Sequence, residues 1–287
     1  MIAQAAAASR RGPAWLARGR PVVVGILNIT PDSFSDAGRY LAPDAALRQA
    51  EALVNEGAAM LDLGGESTRP GRPTPVSVDD EWRRLASVLV ACVRQWPDVP
   101  LSVDTVKAEV ARRALAEGAS VINDVSALRL DPAIADHCAA AGAGLILMHS
   151  RGDTATMATY DDARYDDVMA AVCAELAAQV AVAVDRGVPR EAIVLDPGLG
   201  FSKTPAQSLR VLRDLSILSA LGHPVMIGPS RKRFLGEVAG RTDPADRDVA
   251  TAAACVVGWQ GGARLFRVHA PRPTVDALAV CGAVERA

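Results

Sequence analysis

Short runs of Val, Ile, Leu and Met alternate with Ala-rich stretches along nearly the whole chain. The apolar runs fall at 22–27, 60–63, 101–103, 121–123, 144–148, 193–195, 225–227 and 265–268. Each is too short for a helix and shows no alternation with polar positions, the pattern of parallel strands covered on both faces. The stretches between them, roughly 44–56, 79–95, 107–117, 132–141, 163–187, 206–220, 245–261 and 272–285, read as helices. Asp44 and Asp131 are predicted N-caps, and Pro132 stands where the first helical residue belongs. Gly57, Gly118, Gly142 and Gly187 each follow a helical run, where a left-handed C-cap is wanted. Eight strand–helix units without a linker predict an α/β fold, a single TIM (β/α)8 barrel of eight parallel strands ringed by helices over residues 21–287. A doubly wound open sheet is the competing architecture.

The length of 287 residues suits such a barrel, which typically needs about 250. Half the residues are hydrophobic and 22% are charged, an ordinary globular balance. A net charge of −2 gives no basic face, so nucleic acid is not an expected partner, and an anionic ligand would need local cations. The five cysteines at 92, 138, 173, 255 and 281 form no CxxC pair and read as small core residues in a reducing cytosol. No apolar run approaches the ~20 residues of a bilayer span, so no membrane is expected. The first twenty residues hold four Arg and no acid and read as a flexible extension. Arg dominates throughout, the only lysines being Lys107, Lys203 and Lys232.

Barrel sites lie at the C-terminal ends of the strands. There the sequence places Asn28; Asp62 and the GGESTRP run 64–70; Asp104; Asn123 and Asp124; His149; Asp196; Ser230, Arg231 and Lys232; and Arg267 with His269. One such residue is commonly a turn former, but a full ring of them predicts a shared pocket. Asp104, Asn123 and Asp196 are acceptors emerging from apolar strands and suit a flat, amide-like heterocycle, because a buried carboxylate needs donors. Arg231, Lys232, Arg267 and His269 are donors and suit a phosphate-like anion. His149 and His269 are a weaker alternative, a shared metal site. HExxH, GxSxG and GxxxxGK[ST] are all absent.

The stretches GILNITPDSFSDAG (25–38), DLGGESTRPG (62–71), SVDT (102–105), INDVS (122–126), LDPGLGFSKT (195–204), GPSRKRFLG (228–236) and RVH (267–269) resemble the dihydropteroate synthase family from about residue 22 to 284. That resemblance implies a cytoplasmic, homodimeric barrel enzyme and a sulfonamide target. It would condense 6-hydroxymethyl-7,8-dihydropterin diphosphate with 4-aminobenzoate, giving 7,8-dihydropteroate and diphosphate. It also implies roles: Asp104, Asn123, Asp196 and Lys232 bind the pterin, with Met148 and Phe201 packed nearby. Arg267 and His269 hold the diphosphate, and Asn28 contacts the Mg²⁺ that accompanies it. Thr68, Pro70, Ser230 and Phe34 shape the aminobenzoate site, and Asp36 pairs with Arg69 as the loops close. Asp104, Asp196, Lys232, Arg267 and His269 form the catalytic set.

Pro229, Ala37 and the stretch 149–160 depart mildly from the family pattern and remove no assigned ligand. Two other readings share these residues: a methyltetrahydrofolate–corrinoid methyltransferase, which lacks a diphosphate site, and a pterin-binding paralogue without catalysis.

Overall fold

The computed structural model describes residues 20–30, 42–66 and 76–287. Eight parallel strands close on themselves in chain order. They are β1 (Val22–Asn28), β2 (Met60–Gly64), β3 (Leu101–Asp104), β4 (Val121–Asp124), β5 (Gly144–Met148), β6 (Ile193–Asp196), β7 (Val225–Ile227) and β8 (Ala263–Val268). The final pairing, Val22 with Leu265 through Gly25 with Val268, seals the barrel and excludes the open sheet. Around it run α1 (Ala42–Asn55), α2 (Val78–Gln95), α3 (Ala108–Ala116), α4 (Ala133–Ala141), α5 (Val168–Asp185), α6 (Pro205–Arg213), α7 (Leu215–Ser219), α8 (Arg233–Ala239), α9 (Asp248–Gln260) and α10 (Pro271–Val284).

The interior is plugged by Val22, Val24, Met60, Val121, Ile146, Val194, Met226 and Leu265, a cluster separate from the larger core between strands and helices. Side chains on a strand alternate faces, so the residue two places beyond each plug also points inward. Those residues are Ile26 and then Asn28, Asp62, Asn123, Met148, Asp196, Gly228 and Arg267. β3 contributes no apolar plug; Ser102 stands at that level and Asp104 follows. The apolar plug thus ends in a polar layer at one mouth of the barrel. The same alternation turns Asp124 and His149 outward, one residue past Asn123 and Met148.

The predicted left-handed glycines stand at φ of 95° (Gly57), 106° (Gly118), 61° (Gly142) and 91° (Gly187). Asp44 is not a cap: α1 starts two residues earlier, placing it in the first turn. The helix expected over 206–220 is broken at Asp214 into α6 and α7. The one expected from 245 begins at Asp248, after a 3-10 turn over Pro244–Arg247. The seven-residue α8 is not among the helices that the hydrophobic pattern predicts; it starts inside the charged SRKR run. Contrary to expectation, α5 is 18 residues long with mean hydropathy 1.7, enough by length and composition for a bilayer span. It packs Val168, Met169, Val172, Leu176, Val180 and Ala183 inward. The cysteines are free, with Cys92, Cys138 and Cys255 buried.

Asp131 is not the N-cap either, since Pro132 holds that position and Ala133 begins α4, but its carboxylate serves two helices at once. One carboxylate oxygen accepts from Ala133 N at 3.3 Å and the other from Ala108 N at 2.8 Å. Asp131→Ala should therefore destabilise the fold by about 1–2 kcal/mol, the cost of a lost cap, in equilibrium urea unfolding. A change below about 0.3 kcal/mol would show that neither contact matters.

Candidate active site

The polar layer opens into a cavity of about 750 Å³. Asn28, Asp104, Asn123, Met148, Asp196, Phe201, Ser230, Lys232, Arg267 and His269 all line it. These are all the residues given a role by the family resemblance that fall within the described chain; of the other ring members Arg231 lines the cavity, whereas Asp62, Asp124 and His149 do not. Phe34, Asp36, Thr68, Arg69 and Pro70 lie outside the described residues.

The floor is a charged cluster. Arg267 Nε donates to Asp62 Oδ2 at 2.6 Å and Nη2 to Asp104 Oδ2 at 2.9 Å, so one guanidinium bridges two carboxylates. Asn123 Nδ2 donates to the same Asp62 oxygen at 3.2 Å. Burial pushes the Asp104 carboxyl above its ordinary range, Arg267 opposes the shift and Asp62 adds to it. Burial works against the charge on Arg267, but Asp62 and Asp104 hold its pKa above the usual value. The donor and acceptor groups separated in the sequence are therefore interleaved: Arg267 sits among the acceptors. Three of its five N–H donors remain beyond those two bonds. Asn123 Oδ1 and Asp62 Oδ1 are buried without a hydrogen-bond partner among the described residues. An unsatisfied buried acceptor costs free energy until a ligand supplies a donor.

One wall comes from β6 and the loop after it. Asp196 Oδ1 accepts from Gly198 N at 2.7 Å, fixing the carboxylate's rotation. Burial raises its pKa against the pull of Lys232. Lys232 donates to Leu199 O, and its ammonium lies 4.3 Å from the Phe201 ring centre, a cation–π distance. Burial lowers Lys232 to about 7, with Asp196 resisting. A side chain at Gly200 would put its Cβ 3.0 Å from Lys232 Cδ, and the φ there is +75°, so this position needs glycine. Met148, Val125, Val106 and Met157 form an apolar cluster against which Phe201 packs.

The SRKR segment is held in a costly conformation. Arg231 has φ +57°, the left-handed region that non-glycine residues rarely adopt. Asp248 clamps its guanidinium at 2.7 and 2.8 Å, Thr251 Oγ1 accepts from its N–H at 3.1 Å, and Arg247 Nη1 donates to its carbonyl at 2.9 Å. Such strain persists only where surroundings over-determine it. Here it delivers Lys232 into the cavity as the residue before α8. Ser230 Oγ meets His269 Nδ1 at 2.9 Å and accepts from His269 N at 3.0 Å, orienting the imidazole.

Asp62 belongs to the strand-end ring but carries no assigned role in the sequence reading; its partner Arg267 lies 205 residues away in sequence. The shared-metal alternative for His149 and His269 fails, because His149 faces away from the cavity. Its Nε2 lies 3.0 Å from Glu175 Oε2 and its Nδ1 2.8 Å from Lys203 Nζ. Among the described residues no cluster of three or more His, Cys, Asp or Glu is arranged to hold a metal ion.

The pterin binding enzyme family profile matches residues 24–269. The dihydropteroate synthase of Mycobacterium leprae is 45% identical over 268 residues, covering 91% of this chain and 92% of that protein. The mitochondrial folate synthesis bifunctional protein of Arabidopsis thaliana is 41% identical over 284 residues, and the chain spans about half (51%) of its length. Among solved structures, the dihydropteroate synthase of Xanthomonas albilineans with 4-aminobenzoic acid superposes with a TM-score of 0.87 at 44% identity, covering 94% of each chain.

Burial and the nearby Lys203 depress His149 to about 4. A depressed histidine favours the neutral ring in the fold, so its contribution is present above the unfolded value near 6.5 and is lost as pH falls towards 4. Over that window the protein should lose up to about 3 kcal/mol that a His149→Gln variant keeps. Parallel pH-dependent slopes of wild type and variant in denaturant unfolding would contradict this.

Proposed function

As a member of the dihydropteroate synthase family of pterin-binding enzymes, this chain, we propose, makes 7,8-dihydropteroate and diphosphate from 6-hydroxymethyl-7,8-dihydropterin diphosphate and 4-aminobenzoate. The observation that carries the reading is the shared cavity of Asp104, Asn123, Asp196, Lys232 and Arg267. Carboxylates for the N–H edge of a flat bicycle and cations for a leaving anion stand within reach of one molecule. Asp196 Oδ2 and Arg267 Cβ both approach Gly228, where a Cβ would lie 3.9 and 3.8 Å from them.

The pterin edge binds Asp196, Asn123 Oδ1 and Asp104, with Lys232 directed at the ring carbonyl. Met148 and Phe201 cover its faces. The C–O bond to diphosphate breaks as positive charge spreads from the methylene into the electron-rich ring. Asp104 and Asp196 stabilise that charge, and the remaining donors of Arg267, with His269, receive the anion. The arylamine is neutral at physiological pH and needs no strong base, which accounts for a site without a nucleophile dyad. Holding it beside the cation supplies the orientation term.

Asn28 fits the accompanying Mg²⁺. It lines the cavity on the floor side, and its Oδ1 lies 3.6 Å from where a Gly64 Cβ would stand, so glycine keeps the oxygen open. Mg²⁺ commonly takes one or two protein oxygens beside waters and substrate phosphates. When bound, it neutralises charge on the departing diphosphate. Ser230, Thr68, Pro70 and Phe34 are assigned to the aminobenzoate side, and Asp36 and Arg69 to loop closure. The chain is proposed to act as a cytoplasmic homodimer.

Diphosphate release should require both substrates and Mg²⁺; release unaffected by omitting 4-aminobenzoate would exclude the synthase reading. Asp196→Asn should weaken pterin binding by on the order of 2–4 kcal/mol, because its replacement leaves mismatched polar groups in a buried pocket. Titration calorimetry showing wild-type affinity in that variant would remove Asp196 from the pterin site.

A further inference from the structure

Lys203 is used by none of the steps above, yet it is among the largest fully buried side chains in the protein. It ends the loop between β6 and α6 and folds back into it. Its Nζ lies 2.8 Å from His149 Nδ1, 3.0 Å from Phe201 O and 3.2 Å from Gly198 O. The Glu175 carboxylate at Nε2 holds the ring proton there, so His149 Nδ1 accepts as the two carbonyls do, and an ammonium carries three hydrogens; His149 O lies farther off, at 3.5 Å. A neutral amine, with two hydrogens and a lone pair, would leave one of these three acceptors without a donor. Burial and Lys232 lower its pKa to about 7, but this geometry is satisfied only by the protonated form.

The loop around it is not one the backbone adopts readily. Gly198, Gly200 and Ser202 have φ of +66°, +75° and +46°, every second residue in the left-handed region. A Cβ on Gly198 would fall 2.0 Å from His149 O, so the loop sits hard against the end of β5. Ser202 is not glycine and is braced: its Oγ accepts from Arg151 N at 2.9 Å, and Tyr165 Oη donates to its carbonyl at 2.9 Å. The Gly198 and Phe201 carbonyls turn onto one centre, as they would around a bound cation, and the ammonium occupies it. Between them the loop presents the Phe201 ring and the Leu199 carbonyl, which together receive Lys232.

We propose that Lys203 is a positioning residue for the pterin pocket: its ammonium is a built-in cation that shapes the loop 197–204 and so places Phe201, Leu199 O and Lys232 before substrate arrives. His149 is the ring that completes its coordination, held in turn by Glu175. The inference rests on the pterin reading of the cavity.

The test uses the full chain, with 6-hydroxymethyl-7,8-dihydropterin as the probe. Wild type must bind it; if it does not, the functional reading itself fails. Lys203→Met keeps the length and removes the ammonium. It should bind the pterin at least about tenfold more weakly, while KM for 4-aminobenzoate stays within about twofold. In Lys203→Ala, added ethylammonium should restore much of the lost affinity. Wild-type pterin affinity in Lys203→Met, or equal losses for both substrates, overturns the proposal. Should neither variant fold, hydrogen exchange of wild type decides. The amides of 198–202 should be protected without ligand and change by less than about threefold on pterin binding. Slowing of about tenfold or more on binding would mean that the ligand, not Lys203, orders the loop.

Discussion

The constraint on which the site depends is the bridge from Arg267 to Asp62 and Asp104. Two carboxylates at the top of an apolar plug cannot both stay charged without a cation between them. The guanidinium meets that need with a planar fork that reaches both oxygens and still keeps donors in hand. Breaking such a pair from one side leaves an uncompensated buried charge, typically worth about 3–5 kcal/mol. The bridge also sets the angle of Asp104 and, through Asp62, the amide of Asn123. On the proposed reading, the residue that faces the leaving group thus also orients part of the pterin-facing surface.

That arrangement gives the proposed chemistry its physical character. The stabilising charges stand in place, desolvated, before the reaction begins, so little reorganisation is needed as charge develops. In that proposal one cation serves both ends: it bridges the carboxylates at rest and would turn its spare donors to the diphosphate. Around this floor, two of the four non-glycine residues at positive φ among the described residues adjoin lysines; the other two, Ala127 and Leu128, follow β4. Arg231 and Ser202, both non-glycine residues at positive φ, flank the two lysines that reach the pocket wall. Each is clamped by side chains from other elements, Asp248 and Arg247 in one case, Arg151 and Tyr165 in the other.

The outward-facing residues at the same strand ends do structural work of a different kind. Asp124 accepts from Ser126 N and Leu128 N and caps its own turn, at 2.8 and 2.6 Å. His149 joins Lys203 to Glu175, and Arg151 pairs with the same carboxylate. The barrel mouth therefore has two polar shells, an inner one that lines the cavity and an outer one that holds the loops. Adjacent residues belong to different shells because strand geometry reverses the face at each step.

The sequence by itself determined the parallel barrel, since short unalternated apolar runs between helical stretches have few other ways to be covered on both faces. It also determined which end of the barrel carries chemistry, because Asn28, Asp104, Asn123, Asp196 and Arg267 each follow an apolar run. What it left open was pairing. Asp62 and Asp104 meet Arg267 across 205 and 163 residues, and no local periodicity encodes which carboxylate a distant guanidinium will bridge. Nor could it show that Lys203, an unremarkable lysine before a helix cap, turns back into its own loop. Local pattern decides the face a residue shares. Only closure of the barrel brings β8 beside β1 and sets Arg267 over the carboxylates of β2 and β3, and burial then forces those charges to find each other.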